Sequence, residues 1–236
     1  MKLLMKNQIQ VVFFDASGTL FEVRGSVGEV YSQFARQYGI DADPTSIHQS
    51  FLLAFRKQPP LAFPPETPKL LLHQLEFAWW SRLAREVFAE YDFPLFDQFF
   101  ADLFEYFRGS NPWYVFDDVM PTLEALKDRG LRLAVISNFD SRLYDLLCNL
   151  RLERFFDAVH VSAHVGVEKP DPIIFHTALN AHAVEAQQAY HVGDRLETDV
   201  EGAAAVGINV ALIDRKAKIQ HPARIERLDQ LLGLIM

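Results

Sequence analysis

The chain is 236 residues long, half of it apolar, with a formal charge of −8 at pH 7 and a single cysteine. That apolar content can bury a sizeable core in one large domain or in a domain with an insertion, which argues against disorder and against a repeat array. The negative balance offers no attractive field to a phosphate backbone and so excludes nucleic acid as a partner of the surface as a whole.

The start, "MKLLMKNQIQ", is broken by Asn7, Gln8 and Gln10 and lacks the continuous apolar core of a signal peptide. No later run approaches the length of a membrane span. Cys148 reads as a small buried apolar side chain, and without a second cysteine there is neither an intramolecular disulfide nor a CxxC pair, which suits a reducing cytoplasm. The run "IQVVFFD" then predicts a buried parallel strand, being short, β-branched and aromatic and ending on a polar group, Asp15.

From residue 22 to 115 the pattern changes. The segments "VGEVYSQFARQYG", "TSIHQSFLLAFRKQ", "KLLLHQLEFAWWSRLAREVFAE" and "PLFDQFFADLFEYFRG" predict four helices, with the proline-rich "PPLAFPPETP" between the second and third. They read as a helical module inserted after the first strand. The third segment is apolar on nearly every face around Trp79 and Trp80, which predicts a helix buried within the module. Alternatively, some of those aromatics face the sheet and line a pocket. In the return from the module, Asp117 and Asp118 read as a solvated hinge.

Strand and helix alternate from there on. "PTLEALKDRG" opens with Pro121 and closes with Gly130, and "DPIIFHTALNAH" has proline in its first turn, so both predict helices. "LRLAVIS", "AYHVGD" and "INVALI" predict strands, with a weaker one at "DAVHVS". Such alternation predicts an α/β fold, a doubly wound parallel sheet. The tail "HPARIERLDQLLGLIM" predicts a final helix over the sheet or part of a dimer contact.

Chemistry is expected at the carboxyl ends of the parallel strands, where ligands of open α/β sheets bind. Asp15 ends the first strand, Ser137 and Asn138 end "LRLAVISN", Lys169 opens the helix after "HVGVEKPDP", and "GDRLETD" sets Asp194 and Asp199 after another strand. Taken singly each has a bland role, as a turn or helix cap or a solvated surface charge. His191, just before Val192, Gly193 and Asp194, reads as a strand residue packed beside the core.

Jointly, an aspartate followed by x-x-G-T-L, a strand ending in Ser-Asn, a Lys-Pro and a Gly-Asp-x-x-x-x-Asp, with a helical insertion after the first element, resemble the haloacid dehalogenase superfamily. "GLRLAVISNFDSRL", "KPDPIIF" and "HVGD" are most similar to its rhythmically-expressed-gene-2-like group. The resemblance spans essentially the whole chain. It implies a Rossmann-like core from residues 1–21 and 116–236 and a helical cap from 22–115. It also implies a small phosphorylated substrate; the expected state is a monomer or homodimer, and charge and hydropathy point to no nucleic-acid or membrane partner. Asp15 would attack phosphorus, while Asp15, the backbone carbonyl of Ser17 and Asp194 would hold magnesium, with Asp199 acting through water or by supporting the loop. Ser137 would hold the transferring oxygens, Lys169 would offset the crowded negative charge, Gly18 would let the loop turn, and Thr19 would tie the loop down through its hydroxyl. Asn138 would be a substrate or phosphate contact or a helix cap.

"FFDASGTLF" departs from the phosphatase pattern at one position, because Ser17 stands where a second aspartate usually protonates the leaving alcohol. Positioned acid–base catalysis is worth roughly 10² to 10⁴ in rate, or on the order of 3 to 5 kcal/mol of barrier. The expected enzyme is therefore a phosphatase for substrates whose leaving group needs no proton. Alternatives are a regulatory protein of the same fold, a metal-free 2-haloacid dehalogenase, or a phosphonatase using Lys57 or Lys69. Specificity would come from Phe51, Phe55, Phe63, Trp79 or Trp80 and from Arg24, Arg56, Lys57 or Arg108.

Overall fold

A computed structural model describes residues 8–235. The first seven residues, and with them most of the stretch weighed as a signal peptide, lie outside the described residues.

Six strands form one parallel sheet in the order β5-β4-β1-β6-β7-β8. They are β1 (Val11–Phe14), β4 (Arg132–Ser137), β5 (Ala158–Val161), β6 (Ala189–Gly193), β7 (Asn209–Ile213) and β8 (Arg224–Ile225). The five predicted strands are all among them. β1 is central and wholly buried because both faces are covered, and strand alternation divides its residues between two apolar layers. Val12 and Phe14 join Leu133, Val135 and Val192 on one face. Val11 and Phe13 join Ala134, Ile136 and Phe175 on the other. The result is the doubly wound α/β arrangement predicted from the alternation.

The interval expected to be helical holds α1 (Val27–Gln37), α2 (Pro44–Lys57), α3 (Lys69–Val87) and α4 (Phe96–Tyr106). Local chemistry starts the first two. Ser26 and Glu29 form a capping box on α1, and Asp43 caps α2 with Pro44 in its first turn. The chain enters and leaves this interval through an antiparallel ribbon, β2 (Phe21–Val23) against β3 (Trp113–Val115), which the apolar patterns did not predict. α3 is also less buried than its composition suggests. Trp79 is buried, but Leu70 is 77% exposed and Leu71 and Phe77 are also exposed, while Trp80 reaches the loop after β4.

The remaining helices flank the sheet: α5 (Val119–Asp128), α6 (Arg142–Asn149), the short α7 (Ser162–Val165), α8 (Pro172–His182), α9 (Gly202–Ala205) and α10 (Leu231–Leu234). α8 begins at Pro172 rather than at Lys169, with Asp171 as its cap. The tail adds β8 to the sheet edge before α10, and Arg129 donates to the carbonyls of Leu232 and Ile235 at 2.7 and 2.8 Å. Leu228 and Leu231 are buried there against the chain's own core, so the tail is an edge strand and a short helix rather than one long helix. Cys148 is exposed, not buried, because it lies on the outer side of α6.

Candidate active site

Parallel register sets the ends of β4, β1 and β6 side by side, since Phe14 pairs with both Val135 and Val192. The next residues out are therefore neighbours: Asp15 after β1, Ser137 at the end of β4, and Asp194 after β6. Asp15 is 8% exposed, and its backbone N–H donates to the Val192 carbonyl at 2.8 Å.

Lys169 reaches this point from the loop before α8. Its Nζ donates to Asp15 Oδ1 at 2.7 Å, to Asp199 Oδ1 at 2.5 Å and to the Ile136 carbonyl at 2.8 Å, with the side chain almost completely buried. Ser137 Oγ donates to the same Asp15 oxygen at 3.2 Å. Asp15 Oδ1 thus carries both contacts, and among the described residues Oδ2 accepts no hydrogen bond.

Asp199 is brought back under the site by a π-helical turn, Leu196–Glu201. Its carboxylate accepts from the Arg195 backbone at 3.0 Å, and Oδ1 lies 3.3 Å from His191 Nε2. His191, expected only as core packing, is fully buried and backs this carboxylate. Its position on β6 three residues before Asp194 was visible in the sequence, but not which way its ring turns.

Two glycines make the close approach possible. Gly18 has φ +89°, and a Cβ there would meet Asp194 Oδ2 at 2.5 Å. A Cβ on Gly193 would meet Asp199 Cγ at 2.2 Å.

Charge does not balance in this cluster. Ligand oxygens of Asp15, Asp194 and Asp199 all lie within 4.8 Å of one another, with Lys169 as the cation among them. Burial, then repulsion from Asp15 and Asp199, pushes the Asp194 carboxyl up to about 7. Burial likewise raises Asp15. Burial opposes ionisation of Asp199 too, but Lys169 and His191 overcome it and hold that carboxyl below the usual range. The same two partners, Asp15 and Asp199, outweigh burial at Lys169 and keep its ammonium charged. Asp194 Oδ1 is buried and, among the described residues, has no hydrogen-bond partner. An orphaned buried oxygen in an all-carboxylate set is what a hard divalent cation would satisfy, and the residues present fit one.

Three expectations need correction. Asn138 does not cap a helix but holds the backbone of Lys169. Its Nδ2 donates to the Lys169 carbonyl at 2.9 Å, and its Oδ1 accepts from the Lys169 N–H at 2.7 Å. The Thr19 hydroxyl is buried with no partner among the described residues; the loop is tied instead through the Thr19 carbonyl, which accepts from Arg215 Nη2 at 2.9 Å. Asp118 is not solvated but 2% exposed, accepting from Arg215 at 2.8 Å and from the Leu228 N–H at 2.7 Å. Only Asp117 of that pair is exposed. Ser17 is half-buried in the turn, where the Gly18 N–H donates to the Phe21 carbonyl at 2.8 Å.

A sequence profile described as haloacid dehalogenase-like hydrolase matches residues 9–207. The haloacid dehalogenase-like hydrolase domain-containing protein 3 of Bos taurus is 35% identical over 215 residues, 87% of this chain and 82% of that protein. The Rhythmically expressed gene 2 protein of Drosophila melanogaster is 28% identical over 225 residues, 89% of this chain and 85% of its own length. Among solved structures, a HAD phosphatase from Thermococcus onnurineus superposes with a TM-score of 0.69 at 24% identity, over 96% of this chain and 98% of that one.

Proposed function

The chain belongs to the haloacid dehalogenase-like hydrolase family, and on that premise we propose that it is a cytoplasmic, magnesium-dependent phosphatase of small metabolites acting through an aspartyl-phosphate on Asp15. The observation that carries this reading is the carboxylate excess around Asp15, with one oxygen of Asp194 buried and unpartnered. Asp15, Asp194 and the Ser17 carbonyl would hold magnesium, and Asp199, engaged by Lys169 and Arg195, would support the loop behind them. When bound, the ion would neutralise charge on the phosphoryl oxygens. Residues 22–115 would form the cap over the site.

Asp15 attacks through Oδ2, since Oδ1 is held by Ser137 and Lys169. The bond from phosphorus to the leaving oxygen breaks as the bond to Asp15 forms. Lys169 offsets the negative charge that gathers there, and the Ser137 hydroxyl donates to it. Water then attacks phosphorus, the bond to Asp15 breaks, and inorganic phosphate leaves with the carboxylate restored. Ser17 supplies no proton for a departing alcohol, so acyl, enol and aryl phosphates are the preferred class.

Asp194 speaks against a metal-free dehalogenase, whose site would leave that carboxylate uncompensated. Lys57 is paired with Glu86 at 3.0 Å on the outside of the helices, which speaks against its forming a Schiff base as in a phosphonatase. A phosphate-release screen with magnesium on wild type, Asp15→Asn and Ser17→Asp tests the reading. It expects release from an acyl or aryl phosphate, none from Asp15→Asn, and a gain of roughly tenfold or more on alkyl phosphates in Ser17→Asp. No release from any substrate, with magnesium still bound, would identify a regulatory protein of this fold. Halide release from a 2-haloacid without metal would identify a dehalogenase.

A further inference from the structure

The sequence stretch "SNFDSRL" continues past Ser137 and Asn138 into three residues enclosed by the inserted helices. Asp140 is fully buried and accepts from Arg142 Nε at 2.9 Å, from Arg142 Nη2 at 2.6 Å and from the Trp80 indole of α3 at 2.5 Å. Arg142 lies 3.9 Å over the Phe104 ring of α4 and donates to the Phe104 carbonyl at 3.3 Å. Between them, the Ser141 N–H donates to Glu76 of α3 at 2.9 Å, and the Ser141 hydroxyl donates to the other oxygen of that carboxylate. Two residues before Asp140, Asn138 grips the backbone of Lys169 on both its N–H and its carbonyl.

We propose that Trp80 and Asp140 form a seat through which α3 sets Lys169, with Asn138 as the positioning residue between them. An apolar contact between helix and loop tolerates sliding, whereas a buried charged pair with a fixed donor leaves unpaired polar groups in any other register. Seating α3 on residues 140–142 therefore orders the turn from Ser137 onward. Asn138 passes that order on, because both of its hydrogen bonds end on Lys169, whose Nζ holds Asp15 and Asp199. The catalytic consequence rests on the proposed role of Lys169 beside the nucleophile; the seat itself does not.

Trp80→Phe removes the donor and keeps most of the volume, Asn138→Ala removes the grip, and the double variant joins them. Two quantities are measured on the full chain: kcat and KM for an aryl phosphate with magnesium, and hydrogen exchange of the Lys169 amide. Each single variant is expected to lose about tenfold in kcat with KM changed less, and to speed Lys169 exchange by about tenfold or more. The double variant is expected to match Asn138→Ala within about twofold, because the two changes act on one path. Additive losses, or wild-type exchange at Lys169 in Trp80→Phe, would overturn the seat. Trp80→Leu, which also removes the indole donor and leaves the Asp140–Arg142 pair intact, is expected to reproduce Trp80→Phe and stands in for it should that variant not fold. A wild-type chain that releases no phosphate would sink the phosphatase reading alone, since exchange at Lys169 needs no substrate and still decides the seat.

Discussion

Two buried carboxylate clusters begin three residues apart, at Ser137 and at Asp140, and meet the cost of burial in opposite ways. Asp140 has its opposite beside it: burial alone would raise the carboxyl, but the Arg142 guanidinium more than compensates and holds it below the usual range. At Asp15 three carboxylates share Lys169, and the two that lack a full partner, Asp15 and Asp194, are pushed up instead. A cluster that only holds the fold can be completed by its own residues. A cluster that leaves charge and an oxygen unsatisfied can be completed from solution, as the proposed magnesium would complete this one.

Removing one carboxylate from each cluster should therefore have effects of opposite sign. Asp140→Leu strands Arg142 in the interior and is expected to cost about 3–5 kcal/mol, read from the urea midpoint. Asp194→Asn relieves repulsion, because above about pH 7 the folded wild type must hold an ionised carboxylate where burial disfavours it. Without metal, that variant is expected to be more stable than wild type by on the order of 2 kcal/mol at pH 8. Its thermal midpoint should no longer rise when magnesium is added, as the wild type's should. A loss of stability in both variants would erase the distinction between the clusters.

Gly18→Ala attacks the same cluster through the backbone. It places a Cβ at φ +89° and within 2.5 Å of Asp194 Oδ2, for an expected cost of about 1–2 kcal/mol. Calorimetry should show weaker magnesium binding, because Asp194 has to move away.

The smallest effect concerns buried groups that avoid the charge problem altogether. His160 and His182 have ring centroids 6.2 Å apart. Burial and the neighbouring His182 lower the His160 pKa to about 4 from the usual 6.5. The unfolded chain then takes up a proton that the folded chain refuses, so stability falls as pH drops from about 6.5 to about 4. Unfolding at pH 7 and pH 5 should show His160→Gln losing on the order of 1 kcal/mol less than wild type over that interval.

Much of this was legible in the sequence. The β-branched and aromatic runs marked five of the six sheet strands, and the polar groups at their ends, Asp15, Ser137 and Asp194, meet because parallel register aligns those ends. Lys169 and Asp199 stood out by their place after the strands, and the roles expected of them followed from the resemblance. What stayed hidden were partners distant in sequence. The bond from Asp118 to the Leu228 N–H spans 110 residues, and the one from Arg215 to the Thr19 carbonyl spans 196. Asp118 read as solvated for that reason, and Thr19 as held by the wrong atom. β8 was missed because two residues carry no periodicity.

Local pattern by itself determined that the protein is a parallel α/β sheet with helices inserted after its first strand, and that its polar groups gather at one end of that sheet. These follow from hydrophobic periodicity and chain order, which act over a few residues at a time. Which oxygen of Asp15 is left free, which carboxylate goes unpaired, and that Asn138 holds a lysine while Trp80 holds an aspartate were decided only by tertiary packing. Burial turns a hydrogen bond that water would replace into one the fold has to supply, and at Asp194, where the described residues supply none to Oδ1, the proposed magnesium would satisfy it.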